Sequence, residues 1–170
     1  MISLCTVLSF ISVLKLPFGG KITLGQSVPI ILFSYKRGAK YAVRAGMLYG
    51  VFKALFSVHI FPASSFLSFV LIIILDYVLP YTFVGMSSLF VPFFKRRRLN
   101  ILISCFLSHT FKLFCSVVSG VLCWKSYVPS NLNIWLYSFL YNSSYAVPET
   151  IVSLVIIFLI LNYLSEKKPI

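Results

Sequence analysis

Long apolar runs dominate this 170-residue chain, and few charged residues interrupt them. Hydrophobic residues make up 59% of the sequence and charged residues 11%, against about 25% charged residues in ordinary soluble domains. A helix needs about 20 mostly apolar residues to cross the hydrocarbon core of a bilayer. The chain is therefore predicted to be an all-α, polytopic membrane protein in which residues 1–170 form one integral membrane domain.

Six apolar segments are predicted to form a bundle of six transmembrane helices. They are Ile2–Leu16, Leu24–Tyr35, Gly38–Val58, Ser65–Val91, Leu99–Trp124 and Tyr141–Leu164. Pro29 predicts a kink or break in the second segment, and residues 16–20 predict a turn after the first. The loop Lys125–Leu140 is predicted to be the longest connection.

The basic residues lie between the apolar segments, although the formal net charge is +12. This arrangement predicts membrane topology and argues against nucleic-acid binding. Ten of the fifteen basic residues fall on one side of a six-span bundle, namely Lys36, Arg37, Lys40, Arg44, Lys95, Arg96, Arg97, Arg98, Lys167 and Lys168. By the positive-inside rule that side is cytoplasmic, so both termini are predicted to be cytoplasmic.

Motifs of soluble enzymes and metal sites are missing from the sequence. It contains no GxSxG, HExxH, DxxD or Walker-type loop, so neither an enzyme activity nor a cofactor is predicted. The four cysteines, Cys5, Cys105, Cys115 and Cys123, lie in apolar runs without the spacing of zinc ligands. They are interpreted as small buried hydrophobic residues, and no metal site or disulfide framework is expected.

Ionisable residues inside the apolar segments are the candidate functional residues, because charge at membrane depth is costly. Asp76 stands inside the run LIIILDYVLP, and only two other acidic residues, Glu149 and Glu166, occur in the chain. Helical spacing predicts two further polar stripes. One stripe consists of Lys112, Ser116, Ser119 and Cys123, and the other consists of Asn142, Tyr145 and Glu149. Such stripes are expected to face each other or a wet cavity.

Structural alternatives accompany each of these residues. Asp76 is either a ligand-binding group or a packing partner of Lys112. Glu149 pairs with Lys112, caps the backbone after Pro148 or meets a ligand. Lys53 and Arg44 are expected to extend to the membrane surface or to face a partner protein. His109 is expected to be structural. Trp124 and Trp135 are at membrane edges, where tryptophan ordinarily anchors a helix.

Three ordered motifs resemble the thiamine-specific S component of energy-coupling factor transporters. They are PFGGKITLGQSVPIILFSYKRG at residues 17–38, LDYVLPYTFVGMSSLF at residues 75–90 and SGVLCWKSYVPSNLNIWLYSFLYNSSYAVPE at residues 119–149. The resemblance covers nearly the whole chain. It implies a six-helix bundle in a prokaryotic cytoplasmic membrane that binds thiamine and docks on a T component carrying two ATPase subunits, which hydrolyse the ATP.

Carried over by position, the resemblance implies binding roles for seven residues: Asp76, Tyr77, Lys112, Ser116, Trp124, Tyr137 and Asn142. The thiazolium of thiamine is permanently cationic, so it favours a carboxylate and an aromatic face, here expected from Asp76 and Trp124. Tyr137 and Asn142 are expected to hydrogen-bond the aminopyrimidine. Lys112 is expected to orient Asp76 or Tyr77, or to meet the hydroxyl of thiamine.

The sequence departs from the family at several positions. Ser116 stands where a histidine commonly lies beside the thiazolium, and Gly20 stands where some relatives carry a tryptophan. Cys5 and Ser9 have the four-residue spacing with which small residues of the first helix contact the T component, although packing within the bundle is an equal alternative.

Three other functions remain open from the sequence. In the first, the protein is an S component for another vitamin or for a thiamine precursor such as a hydroxymethylpyrimidine. In the second, it is a membrane scaffold that binds no ligand. The least favoured alternative is an intramembrane hydrolase built on Asp76 and Glu149.

Overall fold

A computed structural model of the chain describes residues 1–16, 20–57, 65–90 and 97–167. These ranges contain six helices, two 3₁₀ turns and one antiparallel pair of strands. The helices are α1 (Ile2–Phe10), α2 (Val28–Arg37), α3 (Ala39–Ser57), α4 (Phe66–Gly85), α5 (Arg97–Cys123) and α6 (Ile134–Lys167). The strands are β1 (Ser12–Lys15) and β2 (Lys21–Thr23), and the 3₁₀ turns are Ser87–Leu89 and Lys125–Tyr127.

The predicted first span, Ile2–Leu16, is wrong in its second half. Helix α1 ends at Phe10, and the chain then forms β1, which pairs with β2 in the register Ser12↔Thr23 and Lys15↔Lys21. Nine helical residues extend only about 14 Å, so α1 alone does not cross a bilayer. Residues 17–19, which carry most of the predicted turn, lie outside the described ranges.

The second predicted segment, Leu24–Tyr35, has no kink at Pro29, but its helix is interrupted just before this residue, since Leu24–Ser27 are not helical. Helix α2 begins at Val28, so Pro29 occupies its first turn. The first backbone N–H groups of a helix have no partner within that helix, and a proline there removes no hydrogen bond. The helix therefore runs unbroken to Arg37, but its ten residues are too few to span a bilayer core.

The bounds of α3, α4 and α5 agree with those of the third, fourth and fifth predicted segments to within a few residues, except at the end of α4. The fourth ends earlier than predicted, at Gly85. Within α4, residues Ile73–Val78 form a π-helical segment just before Pro80. Proline cannot donate to the preceding turn, and a π segment is one of the ways in which a helix accommodates that loss.

The sixth helix begins seven residues earlier than predicted, at Ile134 in place of Tyr141. Asn133 explains the difference, because its side-chain oxygen accepts hydrogen bonds from the backbone N–H groups of Trp135 and Leu136. This is the capping interaction that starts a helix. The predicted loop Lys125–Leu140 is correspondingly shorter, and Tyr137 lies on α6.

Small residues on α3 allow α4 to pack against it at close range. Ala42, Gly46, Gly50 and Ala54 recur every four residues, and all four are buried. A Cβ atom on Gly46 would lie 2.1 Å from the carbonyl oxygen of Tyr81, and one on Gly50 would lie 2.6 Å from that of Tyr77. Side chains are thus excluded at these positions, and this backbone contact holds α4 in place along α3.

Three helices in the described part of the chain are long and apolar enough to cross a membrane: Phe66–Gly85, Arg97–Cys123 and Ile134–Leu164. The six-span count and the cytoplasmic location of both termini stay predictions. The side chains of six basic residues on the predicted cytoplasmic side are exposed, namely Lys36, Arg37, Lys40, Arg44, Arg97 and Arg98. Lys95, Arg96 and Lys168 lie outside the described ranges.

Candidate functional site

A chamber lies between α3, α4, α5 and α6, beside the start of β2. It contains about 1100 Å³ of space unfilled by protein atoms, its open mouth included. All seven residues implied by the resemblance line it. The full lining is Gly20, Lys21, Gln26, Lys53, Ser57, Asp76, Tyr77, Tyr81, Lys112, Ser116, Gly120, Trp124, Tyr127, Val128, Tyr137, Ser138, Tyr141, Asn142, Tyr145 and Glu149.

Asp76 and Trp124 lie together at one end of this chamber. The Asp76 Oδ2 atom accepts a hydrogen bond of 2.7 Å from the Ser119 hydroxyl and one of 3.2 Å from the Trp124 indole Nε1–H. Both donors are neutral, and no cationic side chain in the described ranges lies within salt-bridge distance of Asp76. This end of the chamber therefore holds a carboxyl group without a cationic partner among the described residues.

The π-helical segment of α4 contributes two consecutive residues to the chamber wall. Asp76 and Tyr77 both line the chamber, and Tyr81 follows one turn later. Local π segments inside α-helices are often found at functional sites, where they change the direction of side chains. The close packing of α4 against Gly46 and Gly50 keeps this segment next to α3.

Lys112 contacts Glu149, and the expectation that it orients Asp76 or pairs with it is wrong. Its expected roles toward Tyr77 and toward the hydroxyl of thiamine stay predictions. Its Nζ atom lies 2.7 Å from Glu149 Oε2, and both side chains are buried. The alternative pairing of Glu149 with Lys112 is confirmed. Both residues lie on the predicted polar stripes, but their sequence spacing does not indicate which carboxylate Lys112 would reach.

Glu149 lines the chamber and accepts hydrogen bonds from three donors. Besides the Lys112 ammonium, it accepts hydrogen bonds of 2.9 Å from the Thr23 hydroxyl and 2.9 Å from the Gln26 amide. These contacts fasten β2 and the start of α2 to α6. The sequence analysis missed Thr23 and Gln26, and only their position within the first family motif, TLGQS, distinguishes them.

Lys53 is half-buried and its ammonium group lies inside the protein, so the expectation that it reaches the membrane surface or a partner is wrong. Its Nζ atom bonds to Gln26 Oε1 at 2.9 Å and to the Tyr81 hydroxyl at 2.6 Å. It also lies 5.1 Å from the centre of the Tyr81 ring, and Lys112 Nζ lies 5.5 Å from the same centre. Arg44, by contrast, is exposed.

The two predicted polar stripes both face inward. Lys112, Ser116, Ser119 and Cys123 are buried on α5, while Asn142, Tyr145 and Glu149 line the chamber from α6.

The α6 side chains form contacts with one another. The Asn142 amide donates to the Ser138 carbonyl oxygen at 2.8 Å, and the Tyr145 hydroxyl donates to Asn142 Oδ1. The Tyr137 ring stacks against that of Tyr141. The ligand roles of Tyr137 and Asn142 stay predictions.

The remaining candidates have structural partners or exposed positions. Cys5 is completely buried, so the structure favours its packing within the bundle over contact with a partner. Ser9 donates to the Thr6 carbonyl oxygen, and its docking role stays a prediction. His109 is buried and its Nδ1 atom bonds to the Cys105 carbonyl oxygen. Trp135 is exposed.

The family of this chain is established by comparison with known proteins. A family model described as thiamine transporter protein (Thia_YuaJ) matches residues 1–168. The chain belongs to this family. Its membership, together with the three apolar helices, makes it a membrane protein and a thiamine transporter, and this assignment favours transport over catalysis.

Two proteins named thiamine transporter ThiT are similar to the chain. The protein from Bacillus subtilis (strain 168) is 24% identical over 156 residues, which cover 86% of this chain and 78% of the relative. The protein from Lacticaseibacillus paracasei (strain ATCC 334) is 28% identical over 143 residues, which cover 76% of this chain and 68% of the relative.

Proposed function

We propose that this protein is the substrate-capturing S component of an energy-coupling factor importer in a prokaryotic cytoplasmic membrane. In this role it binds thiamine from the outside and delivers it together with a T component and ATPase subunits. The protein itself catalyses no reaction, because the partner subunits hydrolyse ATP. The chamber supplies the ligand site, and the lipid bilayer surrounds the apolar helix faces.

The contact between Asp76 and Trp124 is the observation that carries this proposal. A permanently cationic heterocycle is stabilised by an anion and by the face of an aromatic ring, and desolvated cation–π contacts contribute about 2 kcal/mol or more. The Asp76 carboxylate has two neutral donors and no cationic partner among the residues that the structure describes. A thiazolium cannot lose its charge by deprotonation, so it is a suitable partner for a carboxylate in this position.

The positions of the basic residues support an outward-facing chamber. Arg97 and Arg98 are exposed at the start of α5, whereas Trp124 follows the end of the same helix and lines the chamber. On α3, Lys40 is exposed at the start of the helix, whereas Lys53 near its end lines the chamber. Because the basic ends are cytoplasmic under the positive-inside rule, the chamber lies toward the external side.

A fluorescence titration tests ligand binding directly. The chain has two tryptophans, so a Trp135→Phe variant leaves Trp124 as the sole indole reporter in the purified protein. Thiamine is expected to quench this fluorescence in a saturable manner, and excess free hydroxymethylpyrimidine is expected to reverse the change only weakly. Stronger binding of the pyrimidine would identify a precursor transporter, and the absence of any response to thiamine would favour a scaffold.

The partner requirement is tested separately by reconstitution into proteoliposomes. Thiamine uptake is expected only when the T component and both ATPase subunits are present with ATP. Uptake by the isolated chain would contradict the role of an S component while leaving thiamine binding intact.

A further inference from the structure

Three charged residues of the chamber lie around Glu149: Glu149 itself, Lys112 and Lys53. This group contains two positive charges and one negative charge. Lys112 is paired with Glu149 at 2.7 Å. Lys53 has only neutral partners, the Gln26 side-chain oxygen and the Tyr81 hydroxyl, and no carboxylate of the described residues lies within salt-bridge distance of it. An ammonium group that is half-buried at membrane depth without an anion is costly, so this position calls for an explanation.

The opposite imbalance occurs at the Asp76 end of the same chamber. There the carboxylate accepts from Ser119 and Trp124, and no cationic side chain of the described residues pairs with it. Apart from Lys21, which is exposed where it lines the chamber, the described lining thus presents one carboxylate and one ammonium without a charged partner, since the Lys112–Glu149 pair neutralises itself. Such a chamber is complementary to a ligand with a positive group in one part and an electron-rich oxygen in another.

Lys53 also retains hydrogen-bonding capacity for a ligand. An ammonium group has three N–H donors, and the bonds to Gln26 and Tyr81 use two of them. Both partners hold the side chain at the chamber wall, where it is partly exposed to the cavity. The third donor therefore remains for an acceptor that enters the chamber.

We propose that Lys53 is a specificity-determining ligand contact, whose ammonium binds the oxygen at the end of a cationic ligand. This inference rests on the proposed function, in which that oxygen is the hydroxyl of the thiamine hydroxyethyl group or a phosphate ester at the same position. Hydrogen bonds from an ammonium strengthen when the acceptor is charged. Lys53 therefore selects for the oxygen end of the ligand, while Asp76 selects for its cation.

A ligand series with matched variants tests the inference. Dissociation constants are measured for thiamine, for its deoxy analogue with an ethyl group in place of hydroxyethyl, and for thiamine monophosphate. The proteins are wild type, Lys53→Gln and the control Lys40→Gln, which removes an exposed lysine of the same helix outside the chamber. Lys53→Gln is expected to weaken binding of the monophosphate at least about tenfold and of thiamine about threefold, without weakening the deoxy analogue.

The Lys40→Gln control separates the loss of a chamber contact from the loss of a lysine charge elsewhere on α3. Lys40→Gln is expected to bind all three ligands like wild type. An equal loss for all three ligands in Lys53→Gln would indicate a structural role and overturn the inference, as would no loss for any of them.

Wild type alone supplies a further test if Lys53→Gln does not fold. It must bind thiamine more tightly than the deoxy analogue, and equal affinities would overturn the assignment of Lys53. Wild type that binds none of the ligands would instead contradict the proposed function itself.

Discussion

Asp76 and Glu149 both line the chamber, yet their carboxylates have different surroundings. Glu149 is almost completely buried and accepts from Thr23, Gln26 and the Lys112 ammonium. Asp76 is partly exposed and accepts only two neutral hydrogen bonds, both on Oδ2. One carboxylate is neutralised by the protein and the other is not.

This difference separates a structural role from a ligand-binding role. The Glu149 contacts join residues more than a hundred positions apart and hold β2 and α2 to α6, so they maintain the shape of the chamber. Asp76 has capacity left for a cation, and no side chain in the described ranges provides one. A mutation of Glu149 should consequently lower the stability of the protein, whereas a mutation of Asp76 should lower its affinity for thiamine.

The largest effect is expected for Glu149→Gln. This change leaves the buried Lys112 ammonium without an anion, and removal of one partner of a buried ion pair costs about 3–5 kcal/mol. Thermal unfolding of the detergent-purified protein should show a clearly lower transition temperature. The double variant Glu149→Gln/Lys112→Met should recover much of the loss, and a single variant as stable as wild type would break the comparison.

Asp76→Asn should show the reverse behaviour. Thiamine affinity is expected to fall at least about tenfold, or about 1.4 kcal/mol, because the counter-charge of the cation is lost. The unfolding temperature without ligand should stay the same or rise, since an unmatched charge is removed. A thiamine titration with unchanged affinity would exclude Asp76 from the site.

Trp124→Phe is expected to have a smaller effect on binding. Phenylalanine retains an aromatic face, but it forms a weaker cation–π contact and lacks the Nε1–H that donates to Asp76. The expected loss of thiamine affinity is about 1 kcal/mol, measured by isothermal titration calorimetry because the reporter indole is removed. The control Trp135→Phe should bind as wild type does, since Trp135 is exposed and outside the chamber.

The smallest effect is expected for Ser116→His. Ser116 is buried and lines the chamber where relatives commonly carry a histidine, according to the family resemblance. A second aromatic ring beside the cation should raise thiamine affinity by about 0.5 kcal/mol. Calorimetric titration of both proteins measures the change, and weaker binding would show that the pocket has no room for the ring.

Local sequence signals predicted the elements that depend on local physics. The apolar runs of the third to fifth segments predicted α3, α4 and α5, and helical spacing predicted that Lys112, Ser116 and Ser119 share one buried face. The prediction of one helix over the first segment was wrong because a short apolar run is compatible with either a helix or a strand. The early start of α6 was missed because the capping role of Asn133 was not recognised.

Hydropathy and the 3.6-residue period are properties of each segment alone, so the amino-acid sequence was enough to predict a helical membrane chain in which a few polar side chains face inward. The pairing of Lys112 with Glu149 and the inward position of Lys53 could be read only from the folded protein. The same is true of Asp76, which has no cationic partner among the described residues. The choice of partner depends on distances of a few ångströms between elements remote in sequence. Those distances are set by helix packing, such as the close contact of Gly46 and Gly50 with α4.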